Sequence, residues 1–509
     1  MKTVHQKRLS RALVSVYDKD AVRELAGLLH SFDIEILATG GTLSAIREMG
    51  IPATAVEDLT GYPSLLGGRV KTMHPAVLGG VLCRNDLKGD RDDMHAHGLK
   101  PIDMVVVDLY PFEQTLASGA SHSEIIEHID IGGIALIRAA TKNFQHVFVV
   151  PDASFFTRAV ELLKEQNAHT SLHDRRRMAA AAMDISTHYD TAIFHYLNDG
   201  EHKVFKESIR ESRTLRYGEN PHQQAFFYGE LESVFEQLGG KSLSYNNLLD
   251  VDAAMGLMLE FTEPTFAIIK HTNACGVASR IRIEDAWADA LAGDPVSAFG
   301  GILIANRAIG RELAENIADL FFEVLIAPSY DEESLHCLTQ KRDRIILRSK
   351  SFMMPDMRYR SLLNGVLWQT QDHKNILPDQ WRRPTEHKPD KSREDDLLFA
   401  NTVVKHLKSN AIVLAKDRML LGVGTGQTSR VDALKQAVMK ARAFTHDLEG
   451  AVMASDAFFP FPDCVEIAHK EGIVAVIQPG GSVKDQASVD YCDKVGMAMV
   501  FTGERHFRH

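Results

Sequence analysis

Short apolar runs, alternating with segments of helical spacing, constrain this chain more than any other feature. ALVSV (12–16) and IEILA (34–38) read as buried parallel strands, and between them Val22, Leu25, Leu28 and Leu29 recur at helical spacing. Thr39-Gly40-Gly41-Thr42 follows the second run and leads into a helix with Leu43, Ile46 and Met49 on one face. MVVVDL (104–109) and VFVV (147–150) supply further strands, so the rhythm predicts an α/β fold with an open parallel sheet covered by helices. Residues 154–197 read as mostly helical, and the polar stretch 198–213 is the best first boundary. Beyond it FAIIK (266–270), GILIA (301–305), EVLIA (323–327), NAIVLA (410–415), AVMA (451–454), IVAVIQ (473–478) and MAMVF (497–501) read as strands. Helical patterns around 284–292, 394–407, 431–443, 463–470 and 486–495 separate many of them. The charged, Pro-containing stretch 371–395 is either a linker between two halves of this region or a long excursion from one half. No short internal repeat is visible.

A chain of 509 residues predicts two to four domains. Its 57 Lys and Arg against 68 Asp and Glu give a net charge of −11, a poor balance for non-specific nucleic-acid binding. The apolar runs are far shorter than a membrane span, and residues 1–20 lack the apolar core of a signal peptide. The five cysteines (Cys83, Cys275, Cys337, Cys464, Cys492) are scattered and read as free thiols in a reducing cytoplasm. None sits in a Cys-x-x-Cys pair, so no zinc site of that kind and no catalytic metal are expected.

Several motifs carry chemistry. Thr39-Gly40-Gly41-Thr42, between a strand and a helix, suits a phosphate, because a helix N-terminus presents unpaired N–H groups; an ordinary tight turn is the alternative. Gly67-Gly68-Arg69-Val70-Lys71-Thr72-Met73-His74-Pro75 sets two cations and a histidine behind a double glycine, which suits an anion. Asp108-Leu109-Tyr110-Pro111-Phe112 lies at a strand's carboxyl end, where open α/β sheets place ligands. Asp130 in Asp130-Ile131-Gly132-Gly133 is either functional or a helix cap, and Lys142 in RAATKN either acts chemically or complements a helix dipole. In the second region, Arg216-Tyr217-Gly218-Glu219-Asn220-Pro221-His222-Gln223 is dense in hydrogen-bonding groups. Lys270-His271-Thr272-Asn273 follows a strand, and joint action of the lysine and histidine requires the strand to end there. Ser297-Ala298-Phe299-Gly300-Gly301 and Gly422-Val423-Gly424-Thr425-Gly426-Gln427-Thr428-Ser429-Arg430 read as glycine-rich loops, with Arg430 an anion ligand. Asp456-Ala457-Phe458-Phe459-Pro460-Phe461-Pro462-Asp463 sets aromatic rings beside carboxylates, suiting a flat heteroaromatic ligand or plain core packing.

The ordered series GGRVKTMHPAVLGG, DLYPF, IDIGG, RAATKN, LRYGENPHQ, IKHTN, SAFGG, SNAIVLAK, GQTSR, SDAFFPFPD, QPGGS and RHFRH closely resembles the bifunctional purine-biosynthesis enzymes. That family joins an aminoimidazolecarboxamide ribonucleotide (AICAR) formyltransferase to an inosine monophosphate (IMP) cyclohydrolase. The resemblance implies a methylglyoxal-synthase-like cyclohydrolase domain over residues 1–200. It also implies a formyltransferase over 201–509, built from a pair of cytidine-deaminase-like α/β subdomains without zinc, with a break near 371–395. For the transferase it implies His271 as base, Lys270 as charge stabiliser or proton relay, and Asn410 positioning the carboxamide. Arg216, Tyr217, Glu323, Arg430, Phe458 and Arg505 would line its nucleotide site, with Phe461 and Asp463 towards the co-substrate, 10-formyltetrahydrofolate. For the cyclohydrolase it implies Lys71, Tyr110, Asp130 and Lys142 as acid/base and charge-stabilising groups, with Ser15, Thr39, Gly40, Gly41, Thr42 and Arg69 binding nucleotide. A cytoplasmic homodimer, with transferase sites drawing on both chains, is implied as well. One departure stands out: many members have proline after the Asn of the Lys-His motif, whereas Ala274 follows Asn273 here, and its absence is expected to relax Asn273. A reading of another class keeps the transferase but makes the N-terminal domain a phosphate-ligand sensor.

Overall fold

The computed structural model describes residues 6–66 and 69–509. The chain divides into two compact units, Met1–Arg210 and Glu211–His509, and the division falls within the polar stretch 198–213.

The first unit is built on five parallel strands: β1 (Arg11–Ser15), β2 (Glu35–Ala38), β3 (Thr54–Ala55), β4 (Met104–Val107) and β5 (Phe148–Val150). Their order is β3-β2-β1-β4-β5. Leu13, Val14, Val105 and Val106 are fully buried, because helices cover both faces, and this explains the continuous apolar runs. The chain leaves β1 towards β2 and β3 but returns to place β4 on the other side. Strand order therefore reverses between β1 and β4, and a crevice opens beyond their carboxyl ends. Helix α1 (Gly40–Glu48) follows β2, and α2 (Gly132–Lys142) lies between β4 and β5. The long helix α3 (Leu172–Leu197) starts at a reciprocal cap between Ser171 and Asp174.

The second unit carries an eleven-stranded sheet. Its strands are β6 (Phe235–Gly239), β7 (Thr265–Lys270), β8 (Asn273–Ser279), β9 (Gly301–Ala305), β10 (Phe322–Ala327) and β11 (Ile345–Ser349). They continue as β12 (Ile412–Lys416), β13 (Met419–Gly424), β14 (Val452–Ser455), β15 (Ala475–Gln478) and β16 (Ala498–Phe501). The order β6-β11-β10-β9-β7-β8-β13-β12-β14-β15-β16 contains the same motif twice. In each half a helix leads into an antiparallel hairpin, β7–β8 or β12–β13, and three mutually parallel strands follow on the first hairpin strand. The leading helices are α4 (Tyr245–Met258) and α6 (Lys391–Lys405); α5 (Ile283–Gly293) and α7 (Arg430–Ala443) follow the hairpins. The halves meet where β8 pairs antiparallel with β13 at Ala278 and Met419.

This duplication is legible at a few residues once the topology is known. Lys270 with Lys416, Asp250 with Asp396, and Gly276 with Gly422 each share one offset along the chain. Strands β8 and β13 were not expected as strands, because glycine and polar residues interrupt them. Gly424 is a strand residue facing α7, where a Cβ would stand 1.8 Å from the Ala433 carbonyl oxygen, so glycine here admits a close helix rather than a ligand. Part of 371–395 runs along the outer strand β16: Arg382 and Phe501 exchange backbone hydrogen bonds of 3.0 and 2.8 Å. It links the halves and covers a sheet edge. Among the described residues no helix is long and apolar enough to cross a membrane. All five cysteines are free thiols.

Candidate functional site

In the first unit a cavity of about 490 Å³ opens at the β1/β4 crevice, lined by Ser15, Thr39, Gly41, Thr42, Arg69, Lys71, Tyr110 and Asp130 among others. Helix α1 has no side-chain cap, and the first intrahelical bond is the one from Leu43 N–H to Thr39 O at 3.1 Å. The N–H groups of Gly40, Gly41 and Thr42 therefore have no partner within the helix, and Gly41 and Thr42 line the cavity. The Thr42 hydroxyl is committed elsewhere: it is buried and bonds both backbone groups of Val16, at 3.2 and 3.1 Å. Ser15 Oγ and Thr39 Oγ1 lie 3.0 Å apart. The Lys71 ammonium stands 3.6 Å from where a Cβ of Gly40 would be, and Arg69 pairs with Glu127. Gly67 and Gly68 lie outside the described residues. His74, grouped with these cations in sequence, is instead the cap of the helix Pro75–Leu82, its Nδ1 accepting the Ala76 N–H at 3.1 Å.

Asp130 stands both at the start of a helix and in the lining of the cavity. Its Oδ1 accepts the Gly133 N–H at 2.6 Å, capping α2, while the carboxyl still lines the cavity. Burial pushes this carboxyl above the ordinary carboxylate range, outweighing the backbone N–H bonds that favour the anion. The Tyr110 phenol is also pushed up, first by burial and then by the Asp130 charge. Its ring meets Tyr17 edge to face at 5.8 Å. Lys142 is not among the residues that line this cavity. It is exposed and ends α2, and the helix rise places it about 15 Å along the axis from Gly132 at the cavity. Position at that end matches a dipole-complementing cation. Sequence reasoning missed Lys19, which lines the cavity beside Gly41 and donates from Nζ to the Tyr17 carbonyl at 2.6 Å. Its position just past the carboxyl end of β1 was the available signal.

In the second unit β7 does end at Lys270, as joint use of the lysine and histidine requires. Lys270 faces Asn273 across a two-residue turn in which His271 and Thr272 have φ of +50° and +63°, the tight hairpin geometry matched to strand twist. Lys270 Nζ donates to the Phe299 carbonyl at 2.6 Å, so the Ser297–Gly301 segment supports the ammonium. Phe299, not singled out from sequence, is exposed and its ring lies 5.0 Å from that of Phe321. Asn273 is not relaxed by the alanine that follows it. Its Nδ2 donates to the His271 carbonyl at 2.9 Å, and its Oδ1 accepts from Lys408 N–H at 3.0 Å and Thr425 Oγ1 at 2.8 Å.

Those bonds join the turn of one half to loops of the other. Asn410 Nδ2 donates to the Gln427 carbonyl at 2.9 Å, and Asn410 Oδ1 accepts from Arg430 at 2.7 Å. Arg430, itself buried, pairs with buried Asp456 and donates to Ser455 Oγ at 3.0 Å. The C-terminal segment closes on the same place: His506 N–H donates to the Asp456 carbonyl at 3.0 Å, which brings Arg505 alongside. Phe458 is exposed two residues beyond Asp456. Successive hydrogen bonds and short stretches of chain thus run from the Lys270–Asn273 turn through Lys408 and Asn410 to Arg430, Asp456 and His506. The other expected residues make local contacts. Arg216 donates to the Tyr217 hydroxyl at 3.0 Å, Glu323 pairs with Lys241 at 2.8 Å, and Phe461 lies under the Lys484 ammonium at 4.1 Å. Asp463 opens the helix Asp463–Lys470. Among the described residues no group of three or more His, Cys, Asp or Glu side chains is arranged to hold a metal ion.

Known proteins bear on both units. A family model described as the AICARFT/IMPCHase bienzyme matches residues 140–440, and one described as an MGS-like domain matches residues 21–135. The chain is 56% identical over 503 residues to the bifunctional purine biosynthesis protein PurH of Bacteroides thetaiotaomicron, with 99% of each chain covered. It is 46% identical to the PurH of Chloroflexus aurantiacus, covering 99% of this chain and 100% of that one. It is 44% identical to the PurH of Aquifex aeolicus, covering 98% and 100%. Such matches span nearly the whole chain in each case, and the chain belongs to the AICARFT/IMPCHase bienzyme family.

Proposed function

We infer that this chain catalyses two successive steps of purine synthesis, formyl transfer to the 5-amine of AICAR and closure of the product to IMP. Family membership carries the reading, and the cavity of the first unit, lined by Arg69 and Lys71 at the start of α1, supports it. The formyl donor is a formyl-folate, proposed as 10-formyltetrahydrofolate.

In formyl transfer the attacking amine is weak, because its lone pair is delocalised into the imidazole and carboxamide. The role proposed for His271 is to take a proton from that amine as it attacks. Lys270 is proposed to stabilise the negative charge on the formyl oxygen of the tetrahedral adduct. That adduct collapses as the bond from the formyl carbon to the folate nitrogen breaks, and tetrahydrofolate leaves with a proton on that nitrogen. Asn410, with its Oδ1 held by Arg430, is suited to position the carboxamide. Arg216, Tyr217, Glu323, Phe458, Phe461 and Asp463 are proposed to complete nucleotide and folate sites in a homodimer. Each half of the second unit is proposed to be a cytidine-deaminase-like subdomain, a reading supported by the repeated helix, hairpin and three parallel strands.

In cyclisation the carboxamide nitrogen attacks the formyl carbon, and water leaves. Free N–H groups of α1 and the cations Lys19, Arg69 and Lys71 favour the phosphate at the crevice mouth. A phenol whose pKa is raised stays protonated near neutral pH, so Tyr110 is proposed to donate to the formyl oxygen. Asp130 is proposed to accept the amide proton. Lys142 is given no part in this cavity. Aromatisation favours the second step, so fusion draws the less favourable first step forward. We place the enzyme in the cytoplasm.

The test is a pair of half-reactions on the full chain. His271→Ala is expected to abolish formyl transfer while leaving cyclisation of supplied formylated intermediate intact. Lys71→Ala is expected to do the reverse. A folded variant that lost both activities would overturn this division of labour.

A further inference from the structure

We propose that Asp250 is a positioning residue for formyl transfer, its carboxylate fixing the two-residue turn that displays His271. The inference rests on the reading of His271 as the base. Asp250 lies on α4, and its Oδ1 accepts the Thr272 N–H at 2.6 Å. The charged groups around it are Lys270 and His271 on the turn itself, while its helix neighbour Asp252 is engaged by Arg358 at 3.3 Å.

Both turn residues occupy left-handed backbone conformations that side chains other than glycine leave readily unless something holds them. The His271 ring is exposed, and the contacts that fix its residue run through the main chain. Its carbonyl accepts from Asn273 Nδ2 at 2.9 Å and Thr272 Oγ1 at 2.7 Å. Where the imidazole points is therefore inherited from the turn, and the turn is pinned from below by Asp250.

The duplicated half supplies an internal control. Asp396 on α6 accepts the Asp417 and Arg418 N–H groups at 3.0 and 2.7 Å, and those residues have φ of +52° and +55°. The same device thus caps both hairpins, but only one displays a histidine. A purely architectural role would make the two carboxylates equivalent; a positioning role makes them differ in one reaction only.

The experiment compares Asp250→Ala, Asp250→Asn and Asp396→Ala in the full chain, measuring each half-reaction and thermal unfolding. Asp250→Ala is expected to lower kcat for formyl transfer by about ten- to a hundredfold, as small misplacements of a reacting group do. KM for the nucleotide should stay within about threefold, because the lost interaction orients the base and does not bind substrate. Asp250→Asn should recover most of the rate, since its Oδ1 still accepts an N–H. Asp396→Ala should melt lower yet keep formyl transfer, and cyclisation should be unchanged throughout. Equal effects of the two alanine variants on kcat, a rise in KM alone, or no rescue by asparagine would each overturn the proposal. Retention of formyl transfer by His271→Ala would instead overturn the assignment of the base on which it rests.

Discussion

Gly300→Ala perturbs the support of Lys270 without removing any charged group. Gly300 has φ of +69°, and a Cβ there would stand 3.1 Å from Lys270 Nζ and 3.4 Å from Phe321 Cε1. Left-handed backbone costs an alanine about 1–2 kcal/mol, of which the stiffer unfolded chain returns roughly 0.4–1 kcal/mol, leaving a net loss near 1 kcal/mol. In a unit of this size that lowers Tm by only about 1–2 °C. The functional effect should be much larger. The new methyl pushes against the ammonium and weakens its 2.6 Å bond to the Phe299 carbonyl. A displacement on the order of 1 Å beside the reacting atoms can cost about a hundredfold in rate. Thermal unfolding, together with separate assays of formyl transfer and cyclisation, reads both effects. The expected pattern is a small fall in Tm, a large fall in formyl transfer and unchanged cyclisation. A lowered Tm with full formyl transfer would refute the reasoning that the Phe299 carbonyl places Lys270 for catalysis.

Two further predictions concern pH. Because burial raises the Asp130 carboxyl, the folded first unit holds that proton more tightly than the unfolded chain. Its contribution is present at low pH and is lost as pH rises through the raised value. Asp130→Asn should therefore abolish cyclisation yet make the first unit melt relatively higher at neutral pH than at about pH 4, compared with the parent chain; identical pH dependence would refute this. Glu260 behaves oppositely. Burial alone would raise its carboxyl, but hydrogen bonds and charge from His406 and Lys405, at 3.0 and 2.8 Å, bring it to about 2. The stability it contributes is present above the unfolded value and is lost as pH falls from about 4.5 towards 2, on the order of 3 kcal/mol. Denaturant midpoints of Glu260→Gln across that range should show a flatter acid limb, and an unchanged limb would count against the buried pair.

Legibility followed the physical nature of each signal. Runs such as ALVSV and MVVVDL marked strands to within a residue or two, because a strand buried on both faces must be apolar throughout. Strands β8 and β13 escaped notice because β8 opens with the polar Asn273 and both admit glycine where a helix backbone comes close. Gly276 and Gly424 have helix carbonyls 2.0 and 1.8 Å from a Cβ position. Thr39, Gly41 and Lys71 could be proposed from anion-binding chemistry, Tyr110 and Asp130 from their places at a strand end and a helix start, and Ser15 only from the resemblance; all six line the cavity. Lys142 shows what a motif leaves open: RAATKN names the residue, and only the helix Gly132–Lys142 shows that it ends away from Gly132 at the cavity.

By itself the sequence determined the alternation of elements, the charge balance and the family. Those properties reside in local periodicity and in residue types. The tertiary structure decided which loops meet: that Asn273 of one half bonds Lys408 and Thr425 of the other, and that Arg430 spans Asn410 and Asp456. It also exposed a duplication hidden from the eye, since two copies of a fold need share only the few residues where a carboxylate must cap a turn or a helix must touch a strand. Contacts between distant segments depend on how sheets and helices stack, and no local pattern encodes that.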